Sequence, residues 1–179
     1  MNENYKTTPS KGLAVKILIP TLILMIIGGI WFLKNAGKNS IVSEEDSDFA
    51  LHVIDDLNLE ELKSYRLPII IDFGADACIP CKEMAPVLEE LNEELRGKAI
   101  IKFVDVWKYQ ALVEDYPIRV IPTQVFWGKE GKPYVPSNPQ AIQMQMYSMK
   151  DTDEHVFTIH EGGMTKEQIL AVLKEMGVE

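Results

Sequence analysis

Cys78-Ile79-Pro80-Cys81 contains the only two cysteines of the 179-residue chain. Two thiols separated by two residues can close a small disulfide and open it again. The pair stands where an apolar run, residues 68–74, gives way to a helix-like stretch, residues 81–91. A helix starting there turns its unsatisfied N–H groups and the positive end of its dipole toward the first sulfur. The pKa of Cys78 is therefore expected to fall from about 8.5 toward neutrality, which makes this thiol the nucleophile. The chemistry implied is thiol–disulfide exchange, through a mixed disulfide on Cys78 that Cys81 resolves. A structural zinc site needs four Cys/His ligands. Beyond the pair the chain offers only His52, His155 and His160, all distant in sequence, so no metal is expected here and no cofactor other than the redox-active Cys78–Cys81 disulfide. A purely structural disulfide is the plainer alternative, but closing so short a loop constrains little of the unfolded chain.

The elements that must hold the pair follow from the apolar pattern. Residues 49–54 read as a first strand, and Asn58 with Glu61 as the cap of a short helix, a weaker relative of the capping box. The near-continuous apolar run to Phe73 reads as a strand covered on both faces. A helix over 79–96 carries Met84, Val87, Leu88, Leu91 and Leu95 on one stripe and ends at Gly97. A strand over 99–106, a short helix over 109–116 and a strand over 123–127 follow, the last leading into a hairpin turn at Gly128–Lys132. A strand over 155–160 and a helix over 165–176, capped by Thr165 and Gln168, complete an α/β arrangement. Residues 133–154 exceed what this plan needs. Alternation over 141–147 places Ile142, Met144 and Met146 on one face of an inserted strand. Met144, Met146 and Met149 with His155 and His160 could also be soft ligands for copper, although methionines at strand spacing serve well as core filler.

Asp72–Lys82, the Ala85-Pro86 pair within the helix, Tyr116–Thr123 and Gly162–Gln168 together resemble the thioredoxin family over roughly residues 49–179. The resemblance implies a thioredoxin fold, a central mixed sheet flanked by helices, and disulfide-containing protein substrates. It implies that Pro122 follows a cis peptide bond and that Ile79, Pro80 and Ile121 border an extended substrate. Asp72 falls at the position of the family's buried acid; with a pKa raised by burial it would take the proton from Cys81, or else be a satisfied core carboxyl. Lys102 could be the charge that tempers it. Two departures bear on substrate range and potential: Ala77 replaces the aromatic residue usual before the first cysteine, and Ile79 replaces a common glycine. Pro80 at the second intervening position tends to accompany reducing behaviour in family members.

The front of the chain is different. After a tail over 1–12, residues 13–33 are apolar except for Lys16, Pro20, Thr21 and two glycines, long enough to cross a hydrocarbon core of about 30 Å, with Trp31 and Phe32 suited to its interface. An uncleaved transmembrane anchor is favoured over a cleaved signal peptide, because no small-x-small site follows. Lys6, Lys11 and Lys16 against Lys34 and Lys38 place the N-terminus inside and the domain outside. Residues 34–48 read as a linker and 49–179 as the thioredoxin-like domain. Beyond residue 40 there are 13 Lys/Arg against 26 Asp/Glu, a net charge of −13, which argues against nucleic acid as a partner. The reading is a single-pass, membrane-anchored thiol–disulfide oxidoreductase with an extracytoplasmic domain, reducing protein disulfides with electrons from a membrane donor. Disulfide formation or isomerisation, copper handling, and a binding module with idle cysteines are the alternatives.

Overall fold

The structure, a computed structural model, describes residues 48–179 together with Met25. The expected tail (1–12), span (13–33, Met25 apart) and all but the last residue of the linker (34–48) lie outside the described residues. Among the described residues no helix is long and apolar enough to cross a membrane.

The chain forms α1 (Leu59–Ser64), β1 (Ile69–Gly74), α2 (Ile79–Glu94), β2 (Ile100–Asp105), a 3-10 turn (Gln110–Leu112), β3 (Thr123–Trp127), β4 (Met144–Ser148), β5 (His155–Glu161) and α3 (Lys166–Glu175). The strand order is β2-β1-β3-β5-β4. Only β1 and β2 are parallel; the other neighbours are antiparallel, so the sheet is mixed. Side chains alternate across each strand, and this divides the apolar residues of the central strands between two cores. Ile70, Ile101 and Phe126 pack with Met84, Leu88 and Leu91 of α2 and Ile169 and Leu173 of α3. Ile69, Ile71, Phe73, Ile100, Val104 and Val125 face the opposite way, with Trp127 and Leu62. With both faces covered, every residue of β1, β2 and β3 is buried, the few polar ones among them included.

Local signals place the helix ends. Asn58 Oδ1 accepts the Glu61 N–H at 3.2 Å, and Asn58 Nδ2 donates to Glu61 Oε2 at 3.0 Å. Thr165 and Gln168 form a complete capping box on α3. Helix α2 stops at Glu94 rather than 96, with Gly97 just beyond it at φ 77°, a left-handed conformation that glycine adopts without a Cβ penalty.

Four expectations are corrected. The strand over 49–54 reduces to one parallel bridge, His52 to Phe103, held by Val53 N–H to Phe103 O and Phe103 N–H to Leu51 O at 3.0 and 2.7 Å. The helix over 109–116 is only the 3-10 turn. The chain does turn at Gly128–Lys132, but past the Trp127–Pro133 bridge it leaves, and β5 pairs along β3 instead. The inserted strand begins at Met144, after Ile142. As an edge strand with a bulge at Tyr147/Ser148 it runs past the core, so Met144 is buried while Met146 is half exposed.

Candidate active site

Cys78 is the N-cap of α2, and a disulfide joins it to Cys81 across a Cα–Cα distance of 5.3 Å. The Cys81 N–H points at Cys78 Sγ, 3.4 Å away. This orphan donor of the first helical turn is what a thiolate at the same place would accept. Pro80 lies in that turn, where its missing N–H leaves no bond unmade, and Pro86 lies inside the helix, where the Lys82 carbonyl loses its usual partner. The two sulfurs differ in access: Cys78 is partly exposed and Cys81 is buried. Ile79, beside them, is 71 % exposed.

The Ile121–Pro122 peptide is cis. Ile121 O lies 3.9 Å from Cys78 Sγ, so the two segments face each other across the disulfide. Thr123 Oγ1 donates to Val120 O at 2.7 Å, and Gly162 N–H donates to Pro122 O at 2.9 Å, fixing the segment from both sides. Two residues upstream, Arg119 binds both Glu161 oxygens and Gln145 Oε1. The inserted β4 is thereby tied to the wall of the site.

Asp72 sits on β1 with no exposed surface, and burial pushes its pKa up to about 7 against the opposing hydrogen bond from Gln124. Gln124 Nε2 donates to Asp72 Oδ1 at 2.7 Å. Oδ2 is buried without a hydrogen-bond partner. A Cβ added to Gly74 would lie 3.3 Å from that Oδ2, 3.2 Å from Cys81 Sγ and 2.8 Å from Phe103 Cε2. The carboxyl and the buried sulfur therefore border one small space that only glycine leaves open.

Lys102 does not temper Asp72. It pairs with Ile71, whereas Asp72 pairs with Phe103, so the ammonium lies on the other face of the sheet. There it donates to Ala50 O, and burial lowers its pKa to about 8, with the Asp48 charge opposing. Of the copper constellation, Met144 pairs with His160 across β4 and β5, while Met149 lies beyond the end of β4. His160 Nδ1 is bonded to Ile142 O, and His155 Nε2 to Phe157 O and Thr158 Oγ1. A ring nitrogen bonded to a carbonyl oxygen carries the proton and does not ligate an ion, and among the described residues no group of three or more His, Cys, Asp and Glu side chains is placed to hold a metal.

Two polar residues of the site escaped the sequence reading. Gln124 stands inside a fully buried strand, and a polar side chain in such a run was the available signal. Asp105 closes β2; its carboxylate accepts N–H groups from Asp76, Trp107 and Lys108. Burial raises its pKa, but these bonds and the Lys108 charge outweigh burial and hold it below the ordinary carboxylate value. The turn before Cys78 is thus anchored to the end of β2.

A family model described as Thioredoxin matches residues 51–148, more than half of the chain. The chain belongs to the thioredoxin family. It is 38% identical over 93 residues to thioredoxin C-2 of Corynebacterium nephridii, covering 52% of this chain and 77% of that one. To a thioredoxin-like protein of Synechocystis sp. it is 39% identical over 74 residues, covering 41% and 70%. Among solved structures it is similar to chloroplastic thioredoxin z, with a TM-score of 0.47 and 21% identity over 73% of this chain and 96% of that one. As a thioredoxin-family protein with its cysteine pair at disulfide distance, it is a thiol–disulfide oxidoreductase, and thioredoxins act on disulfide-containing proteins.

Proposed function

We propose that the protein is a membrane-anchored reductase of protein disulfides, held by residues 13–33 with its domain outside the cytoplasmic membrane. The carrying observation is the division of labour at α2: a reachable Cys78 at the helix start and a buried Cys81 sharing a space with the unpaired Asp72 Oδ2. The reduced protein attacks a client disulfide with the Cys78 thiolate, forming a mixed disulfide and releasing one client thiolate, which takes a proton from water. Asp72 Oδ2 accepts the Cys81 proton, and the new thiolate attacks Cys78 Sγ. The Cys78–Cys81 disulfide forms, the second client thiolate leaves, and two electrons have passed to the client. Ile121 O and the exposed Ile79 and Pro80 border the place where the client chain lies. A dithiol donor in the membrane would return the electrons, since an extracytoplasmic domain is out of reach of cytosolic reductases.

Direction depends on how strongly the Cys78 thiolate is stabilised, strong stabilisation making an oxidant. Ile79 and Pro80 supply neither a charge nor a side-chain donor, and Ile121 O faces the sulfur with an acceptor. The potential is therefore expected nearer to about −270 mV than to about −120 mV. Equilibration with glutathione buffers, read by alkylation, measures it, together with insulin reduction. A value above roughly −180 mV would turn the assignment to disulfide formation or shuffling.

A further inference from the structure

Asp72, Gln124 and His160 form one register row across β1, β3 and β5, on the face covered by α2 and α3. Gln124 is fully buried, and its Nε2 has three acceptors: Asp72 Oδ1 at 2.7 Å, Gly162 O at 3.1 Å and Met84 Sδ at 3.6 Å. Gly162 O cannot move freely, because the Gly162 N–H is bonded to Pro122 O. Flipping the amide would set its oxygen against two oxygen acceptors and the Met84 sulfur, so the N–H groups are held toward Asp72. The amide keeps this orientation although its own Oε1 is buried and unpaired. An unpaired buried carbonyl is an unfavourable feature that a plain core residue would not carry.

We propose that Gln124 is the positioning residue for Asp72: its amide occupies Oδ1 and leaves Oδ2 as the oxygen that takes the Cys81 proton. This rests on the reading of Asp72 as acceptor for Cys81. The consequence is twofold. The proton is directed to the oxygen bordering the Gly74 space, and the carboxylate form gains a hydrogen bond that opposes the effect of burial. On this face the titratable neighbours are Cys81 on α2 and His160 on β5, one strand beyond Gln124; Lys102 on β2 lies on the other face.

The test uses full-length reduced protein in detergent and 5,5′-dithiobis(2-nitrobenzoate). Attack by Cys78 releases the first thiolate of the reagent, and resolution by Cys81 releases the second. Gln124→Met keeps the length of the side chain and removes its donors. Its first phase should stay within about twofold of wild type. Its second phase should be about fivefold slower at pH 7, with the midpoint of its pH profile about one unit higher, because raising a pKa of about 7 by one unit cuts the carboxylate fraction at pH 7 from about one half to about one eleventh. The rates should converge above about pH 9. An unmoved midpoint overturns the role of Gln124 while leaving the function standing; loss of both phases in the wild-type protein would overturn the function itself. If Gln124→Met does not fold, the wild-type protein still decides. The side-chain amide resonances of Gln124 should titrate with the same midpoint as the Asp72 carboxyl carbon, and invariance through that titration overturns the proposal.

Discussion

On the proposed mechanism, Asp72 is the residue at which stability and chemistry oppose each other. Its pKa in the fold, about 7, stands above the ordinary 3.8, so the folded state binds the proton more tightly than the unfolded chain does. The stability this gives is complete below about pH 4 and is lost as pH rises through 7. Asp72→Asn should therefore be more stable than wild type at pH 8, by about 4 kcal/mol if the whole shift is expressed, with the difference vanishing near pH 4. Urea unfolding at several pH values checks this; a difference independent of pH would refute it. The same variant should slow Cys81 resolution on the order of a hundredfold at pH 7. That defect should shrink at high pH, where Cys81 ionises unaided, and an unchanged rate between pH 6 and 8 would reduce Asp72 to a structural carboxyl. Cys78, partly exposed at the helix start, should alkylate first near neutral pH, and Cys81→Ser should accumulate mixed disulfides with clients. Alkylation centred on Cys81, or a Ser variant that traps nothing on a non-reducing gel, would reverse the two roles.

Among the elements, the junction of β1 and α2 carries the tightest constraint. Gly74 ends the strand, and the place of its absent Cβ is contested by Phe103 of β2, Cys81 of α2 and Asp72 of β1 itself. At 2.8 Å the Phe103 ring would have to shift. Gly74→Ala should destabilise the protein by about 1–3 kcal/mol, as overpacking of a filled core does. Adding Phe103→Leu should return part of that loss without restoring the full rate of the Cys81 step, because the sulfur and carboxyl contacts remain. A double-mutant cycle in urea reads the coupling, and additive effects would show that Phe103 is not the obstacle. β4 has a different task. Its Gln145, itself bonded to Glu161 of β5, shares with that residue the hold on Arg119, two residues before Ile121, so β4 helps to brace one wall of the site.

For the whole molecule, the proposed topology puts the acidic domain and the apolar front segment in different environments. Reporter fusions after Gly37 and at the C-terminus test the proposed topology. An extracytoplasmic reporter should be active at both places, with the full-length protein in the membrane fraction. Activity of a cytoplasmic reporter alone would reverse the orientation, and a soluble, shortened product would replace the anchor with a cleaved leader.

The redox pair was legible in the sequence because its geometry is local: residues three apart at a helix start meet whatever the rest of the chain does. The same holds for the caps at Asn58 and Thr165, set by contacts within four residues, and for the two-sided burial of β1, written in its composition. What the tertiary structure alone decided depends on strand register. Gln124 reaches Asp72 across 52 residues of sequence, Lys102 lands on the face away from Asp72, and β5, rather than the segment after the Gly128–Lys132 turn, pairs along β3. A shift of one residue in any of these pairings would turn every side chain to the opposite face. The choice between registers rests on which apolar set packs under α2 and α3, a sum over both cores that no local stretch of the chain contains.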